Sequence, residues 1–157
     1  RGLSAGRKFV IDQAQGDAGV GDLDILMLMD GCEPDEDLGM VSPGMTLSAT
    51  VNTAGGSRGF DAGCSASRTG RERVVGFTVD RERDVTLSWT QTGDHVFGLF
   101  EERGGDCDEH PAGCHDPAGM RSGSHTFRRL TPGSYLVIIE ANRAGDEGNV
   151  TVRLTSS

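Results

Sequence analysis

The chain has 157 residues, a length that supports one domain of ordinary size plus an extension. Its 15 Lys and Arg stand against 24 Asp and Glu, a net charge of −9, and no basic run is longer than Arg128-Arg129, a balance that excludes a phosphate-tracking nucleic-acid surface. The longest apolar stretch, Ile25-Leu26-Met27-Leu28-Met29, is far shorter than the roughly 20 residues of a membrane-spanning helix, so no transmembrane span is expected.

Period-2 alternation recurs almost from end to end, whereas apolar residues at helical spacing are scarce, so the expected class is all-β with almost no helix. The start, Arg1-Gly2, has neither an initiator Met nor an apolar leader and reads as a processed or excised piece. Phe9 and Ile11, then Leu23, Ile25 and Met27, predict a hairpin within 7–29. Met45, Leu47, Ala49 and Val51 face one way and Thr46, Ser48 and Thr50 the other, and the same comb returns at Val75, Phe77, Val79 and at Val85, Leu87, Trp89. Further strands are expected at about 95–102, 122–129, 134–141 and 148–155, separated by turns such as Ser42-Pro43-Gly44 and Thr131-Pro132-Gly133. Seven or so short strands with Gly and Pro between them predict a β-sandwich or jelly roll over 32–157, with large loops at 53–71 and 103–121.

An internal repeat links the two ends. Leu3-Ser-Ala-Gly6 through Ala14 aligns without a gap on Leu130-Thr-Pro-Gly133 through Ala141. At the same offset Gly21 falls on Gly148, and Leu23, Ile25 and Met27 fall on Val150, Val152 and Leu154. Both ends thus predict a similar terminal hairpin, and the N-terminal one, residues 1–31, lacks a sandwich of its own. An isolated hairpin is marginal in water. It is either the tail of a preceding repeat, a cover for an edge of its own sandwich, or a strand pair donated to another copy, which would propagate into a filament. On the last reading Phe9, Ile11, Leu23, Ile25 and Met27 form the assembly surface.

Cys32, Cys64, Cys107 and Cys114 form an even set, and disulfides persist in oxidising compartments. Three pairings are possible. Cys32–Cys64 with Cys107–Cys114 is the expected one, because those loops close without crossing a strand.

The stretch Leu38-Gly-Met-Val-Ser-Pro-Gly44, then Gly63-Cys64 and Arg73-Val-Val-Gly-Phe-Thr-Val79, resembles the opening of bacterial pre-peptidase C-terminal domains. The second half is similar too, with Val85-Thr-Leu-Ser-Trp89, the loop from Cys107 to Asp116, Leu130-Thr-Pro-Gly-Ser-Tyr-Leu-Val-Ile138 and Asn149-Val-Thr-Val-Arg-Leu154. The resemblance covers about 38–155. It implies a jelly-roll sandwich in an extracellular or cell-surface bacterial setting, an accessory role, and in some relatives binding of Ca²⁺, matrix or carbohydrate. The loop after Cys114 departs from the pattern, reading His115-Asp116 where relatives often carry an acidic run.

The chemistry-bearing clusters each have a plain alternative. Cys107, His110, Cys114 and His115 could hold a structural zinc, but their spacing is not a familiar zinc pattern and a disulfide is the better reading. Asp106, Asp108 and Asp116 are candidate Ca²⁺ ligands, as are the groups at Asp17, Asp22, Asp24 and at Glu33, Asp35, Glu36, Asp37; none has EF-hand spacing, and solvated acidic loops are the alternative. His95, His110, His115 and His125 have no nucleophile elbow to serve, so no catalysis is expected. Trp89 and Tyr135 share the phase of the core comb, which favours packing over sugar binding. Arg68, Arg71, Arg73, Arg81 and Arg83, interleaved with Glu72, Glu82 and Asp84, read as a salt-bridged turn surface. The reading that results is a non-catalytic extracellular structural or interaction module, self-associating or in tandem, with strand donation from 7–29. The alternative is an accessory domain of a secreted enzyme that binds Ca²⁺, matrix or polysaccharide.

Overall fold

A computed structural model describes residues 8–10, 26–28, 33–58, 62–64, 69–103, 106–107 and 111–157, and the chain divides into two compact units, Arg1–Gly31 and Cys32–Ser157. In the first, β1 (Lys8–Val10) and β2 (Leu26–Leu28) pair antiparallel with Phe9 opposite Met27. Of the assembly residues read from the sequence, Ile11, Leu23 and Ile25 lie outside the described residues.

The second unit is a β-sandwich. Its strands are β3 (Glu36–Met40), β4 (Thr46–Asn52), β5 (Glu72–Val79), β6 (Arg83–Gln91), β7 (His95–Arg103), β8 (Asp106–Cys107), β9 (Gly113–His115), β10 (Ser122–Leu130), β11 (Gly133–Ala141) and β12 (Asn149–Ser156). One sheet has four strands in the order β10-β6-β12-β4; the other runs β3-β5-β11-β7-β8, with β9 also on β7. From β4 to β7 and again from β9 to β12, consecutive strands lie in opposite sheets, so the connections between them step across the core. The alternating apolar residues of both sheets meet there: Leu87, Trp89, Val150, Val152 and Leu154 from the four-stranded sheet, Phe77, Phe97, Val137 and Ile139 from the other, all buried. Among the described residues the only helical segment is a 3-10 turn at Thr53–Gly55.

Three expectations are corrected. The C-terminal strands do not form a hairpin: β11 and β12 belong to different sheets, because alternation specifies a buried face and not which neighbour a strand pairs with. Met45 precedes β4 and is 52 % exposed. Two segments read as loops carry strands. The acidic run from Glu36 forms β3, parallel to β5, and the 103–121 segment lays β8 and β9 along β7.

The other loop, within 53–71, covers the outer face of the six-stranded sheet. Ala62 and Cys64 pack there on Val74, Val96, Phe100, Leu136 and Ile138. This second core explains the unbroken apolar run of β11, Tyr135 to Ile139: a strand buried on both faces loses its alternation. Glu72 and Glu140, opposite each other on β5 and β11, are buried beneath the cover, where Glu72 Oε1 accepts from Ser57 Oγ at 2.8 Å and Glu140 Oε2 from Ala62 N–H at 2.9 Å. The four-stranded sheet keeps its outer face polar.

Candidate functional site

The disulfide joins Cys64 to Cys114, with Cα atoms 5.5 Å apart, and so corrects both expected pairs, Cys32–Cys64 and Cys107–Cys114. The reason lies in the register on β7. Cys114 sits opposite Gly98 and Cys107 opposite Glu102, four positions along one strand, or roughly 13 Å. A disulfide needs Cα atoms within about 7 Å. Gly98 also lets the cover approach, since a Cβ there would lie 2.2 Å from Ala62 O. Cys32 lies outside the described residues.

The remaining sequence candidates resolve into structural roles where they are described. With Cys114 Sγ in a disulfide, the zinc reading loses a ligand. His115 stacks on His125 at a centroid distance of 4.4 Å and lies tilted against Trp89 at 4.9 Å, so β9 of one sheet touches β10 of the other. Burial first, then the neighbouring charge of His125, lower the His115 pKa, against a smaller raising effect of Asp116. Asp116 Oδ1 caps its own turn by accepting Ala118 N–H at 2.7 Å; Asp108 and the side chain of Asp106 lie outside the described residues. Asp35 bridges Arg73 at 2.9 Å and accepts Val74 N–H at 2.8 Å, and Asp37 accepts Gly39 N–H. Among the described residues, no three His, Cys, Asp or Glu side chains converge as a metal site would require.

The arginine strip is tied down mostly by backbone carbonyls. Arg73 donates to Asn52 O and Gly55 O besides its bridge to Asp35, and Arg71 donates to Gly56 O. Arg83 is buried against Asp80 and Ser156, whereas the Arg129–Glu82 pair is exposed.

His95 is fully buried. Gln91 Nε2 donates to Met120 O at 2.8 Å, which turns Gln91 Oε1 toward His95 Nδ1 at 3.2 Å and places the ring proton there. Nε2 then accepts from Thr53 Oγ1 at 2.9 Å. Neither ring nitrogen meets a carboxylate and the hydroxyl is buried, so this is no catalytic triad. Trp89 and Tyr135 are buried as their phase predicted. The Tyr135 hydroxyl donates to Thr131 O at 2.9 Å.

What remains unspent is on the four-stranded sheet. Its inward comb turns the intervening positions outward, and the strand register aligns them in rows. Thr50, Thr151, Thr90 and Ser122 make the first row, and Ser48, Arg153, Ser88 and Ser124 the second. Thr46, Thr155, Thr86 and Thr126 make the third. Neighbouring hydroxyls bond sideways, Thr50 to Thr151 and Thr86 to Thr126, each at 2.9 Å. Thr-Leu-Ser-Ala-Thr in β4 and Thr-Leu-Ser-Trp-Thr in β6 announce the pattern, but only the pairing reveals a grid.

The sheet's two edges are unlike. At β10 a register shift past Phe127, two arginines and a positive φ at Arg129 interrupt the edge. β4 has no charge, proline, glycine or bulge in Thr-Leu-Ser-Ala-Thr-Val-Asn, and pairs only with β12 in the sheet order. Of the six-stranded sheet's edges, β3 carries Glu36, Asp37, a register shift and Gly39 at φ +77°, and β8 is two residues long.

No protein-family model matches the sequence, and no curated protein matches it. Among solved structures, the chain is similar to the pre-peptidase C-terminal domain of a collagenase from Bacillus anthracis, at 13% identity and TM-score 0.47, over 80% of this chain and 97% of that one. It is also similar to PliG of Aeromonas hydrophila, a periplasmic inhibitor of g-type lysozyme, at 12% identity and TM-score 0.39, over 77% and 99%.

Proposed function

We propose that the chain is a non-catalytic interaction module of an extracellular assembly, and that modules join by adding the 7–29 hairpin of one copy to strand β4 of another. The observation that carries this reading is the bare β4 edge. Natural edge strands are blunted by charge, proline, bulges or shortness, and an unblunted one is a template for another strand. β4 alone among the described sheet edges lacks all four devices.

The donor is suggested by the repeat. β4 already pairs antiparallel with β12, Leu47 opposite Leu154, Ala49 opposite Val152 and Val51 opposite Val150. Met27, Ile25 and Leu23 repeat those three β12 positions. A segment with the pattern of β12 suits the other side of the same strand, with its apolar residues toward the core. The disulfide agrees with an oxidising compartment.

Light scattering and electron microscopy on the full chain, across a concentration series, test the idea beside a chain lacking residues 1–30, which retains Cys32. Concentration-dependent particles in the first and monomers in the second are expected. Particles of equal size in both would remove the hairpin from the assembly. A full chain that stays monomeric at all concentrations would remove the assembly itself.

A further inference from the structure

We infer that the outer face of the four-stranded sheet is a binding surface for an acidic, uronate-bearing polysaccharide, anchored at Arg153. The inference stands apart from strand addition at β4 and rests on different groups.

The grid has twelve outward positions, of which eleven carry hydroxyls and the twelfth is Arg153, in the middle row. Strands repeat about 4.8 Å apart and same-face residues about 6.7 Å apart, so hydroxyls recur in two directions over the face. Each can donate and accept, which is the hydrogen-bonding character of a sugar hydroxyl. Serine and threonine also lose little side-chain entropy when they engage a ligand, compared with lysine or glutamate.

Charge selects the class of sugar. The chain carries 24 acidic residues, yet none of the twelve grid positions is a carboxylate. Arg153 is exposed, and among the described residues no hydrogen bond or ion pair engages its guanidinium, as with Arg81 and Arg128 but unlike Arg71, Arg73, Arg83, Arg121 and Arg129, which bind carbonyls or carboxylates; of the first three only Arg153 stands within the grid. A planar guanidinium left free among hydroxyls matches a carboxylate in two-pronged fashion. A shallow depression of about 210 Å³ adjoins it, lined by Ser88, Trp89, Thr90, Thr151 and Arg153, with the Trp89 side chain itself buried in the core. Beyond the third row, β6 continues to Asp84, whose Oδ1 is occupied by Arg129 N–H at 2.8 Å. No aromatic side chain is exposed in the grid, which disfavours stacking of a neutral sugar ring.

The test is affinity electrophoresis of the full chain through gels containing polygalacturonate, heparin or dextran, with titration calorimetry on polygalacturonate oligomers. Retardation by polygalacturonate that fades with salt is expected, with at least a tenfold loss in Arg153→Gln and a comparable loss in Thr90→Val/Thr151→Val. Arg128→Gln, beyond the grid, should bind as the parent chain does. Unaltered melting of Arg153→Gln shows that the fold survives. The inference is overturned if the parent chain ignores polygalacturonate, if dextran or heparin retards it equally, or if Arg153→Gln binds as well as the parent.

Discussion

His95 should make the sandwich acid-sensitive in a window set by its burial. Its ring is fully buried, and desolvation lowers its pKa from 6.5 to about 4 against the opposing pull of Asp94, Asp146 and Glu147. The unfolded chain, with an ordinary imidazole, takes up a proton near pH 6.5 that the folded chain refuses until about pH 4. Stability from this group is therefore full above 6.5, falls as the pH drops toward 4, and is flat below. At about 1.4 kcal/mol per pH unit the gap amounts to about 3 kcal/mol, a substantial share of a small domain's stability. His115, whose pKa is also lowered, adds to the same trend. The assay is urea unfolding of the parent and of His95→Gln at half-unit steps from pH 7.5 to 3.5. The variant should be less stable at neutral pH, since Thr53 and Gln91 lose their buried partner. Its further loss between pH 6.5 and 4 should be smaller than the parent's by about 3 kcal/mol. Parallel curves would refute the reasoning, because they would mean that His95 titrates alike in the folded and unfolded chain.

Three structural predictions rest on single contacts. Removing the Cys64–Cys114 bridge, which closes a separation of 50 residues, should cost about 4 kcal/mol by guanidinium unfolding of Cys64→Ser/Cys114→Ser. Tyr135→Phe deletes the hydrogen bond to Thr131 O at the start of β11 and should cost about 1 kcal/mol, seen as a lowered Tm with the core otherwise intact. Gly98→Ala places a Cβ 2.2 Å from Ala62 O, so the cover must lift; a loss of about 1–3 kcal/mol and faster amide exchange at Ala62 and Val96 are expected.

The strands were legible in the sequence because each inward residue obeys the same rule, that one face of a strand is dry. Leu87, Trp89, Val150, Val152 and Leu154 alternate without exception, and their strands lie where that alternation places them. What pairs with what was not legible. Cys107 and Cys114 are neighbours in sequence, yet β8 and β9 dock at different heights on β7, and local closeness misdirects the disulfide. β11 and β12 are adjacent in the chain, yet the sandwich separates them. The cover over Val74, Leu136 and Ile138 was hidden for a related reason: the Gly and Ser in 53–71 look like turn residues, and the burial of Ala62 among them depends on a surface made by strands far away in sequence. The hydroxyl grid required the same long-range register, since β4, β6, β10 and β12 each supply only one column.

The two proposals meet on this sheet, and their meeting can be tested. If a strand carrying Leu23, Ile25 and Met27 inward extends β4 in the register of β12, then the residue aligned with Thr151 is Asp24. Asp24 would then project onto the outer face beside Thr50, with Leu26 beside Ser48, giving the grid a fifth column that begins with a carboxylate. Asp24 would stand two strands and one row from Arg153, roughly 12 Å away, so with a Debye length of about 8 Å at physiological salt its repulsion falls on the polyanion where the polymer crosses β4 rather than at the anchor itself. Strand addition should therefore weaken polygalacturonate binding, and polygalacturonate should in turn dissociate the particles, since coupling between two sites is reciprocal. The chain lacking residues 1–30 should bind the polymer more tightly than the full chain, and Asp24→Asn in the full chain should recover part of the difference. Equal affinity in all three would mean that the edge and the face act independently, or that the donated strand enters in another register.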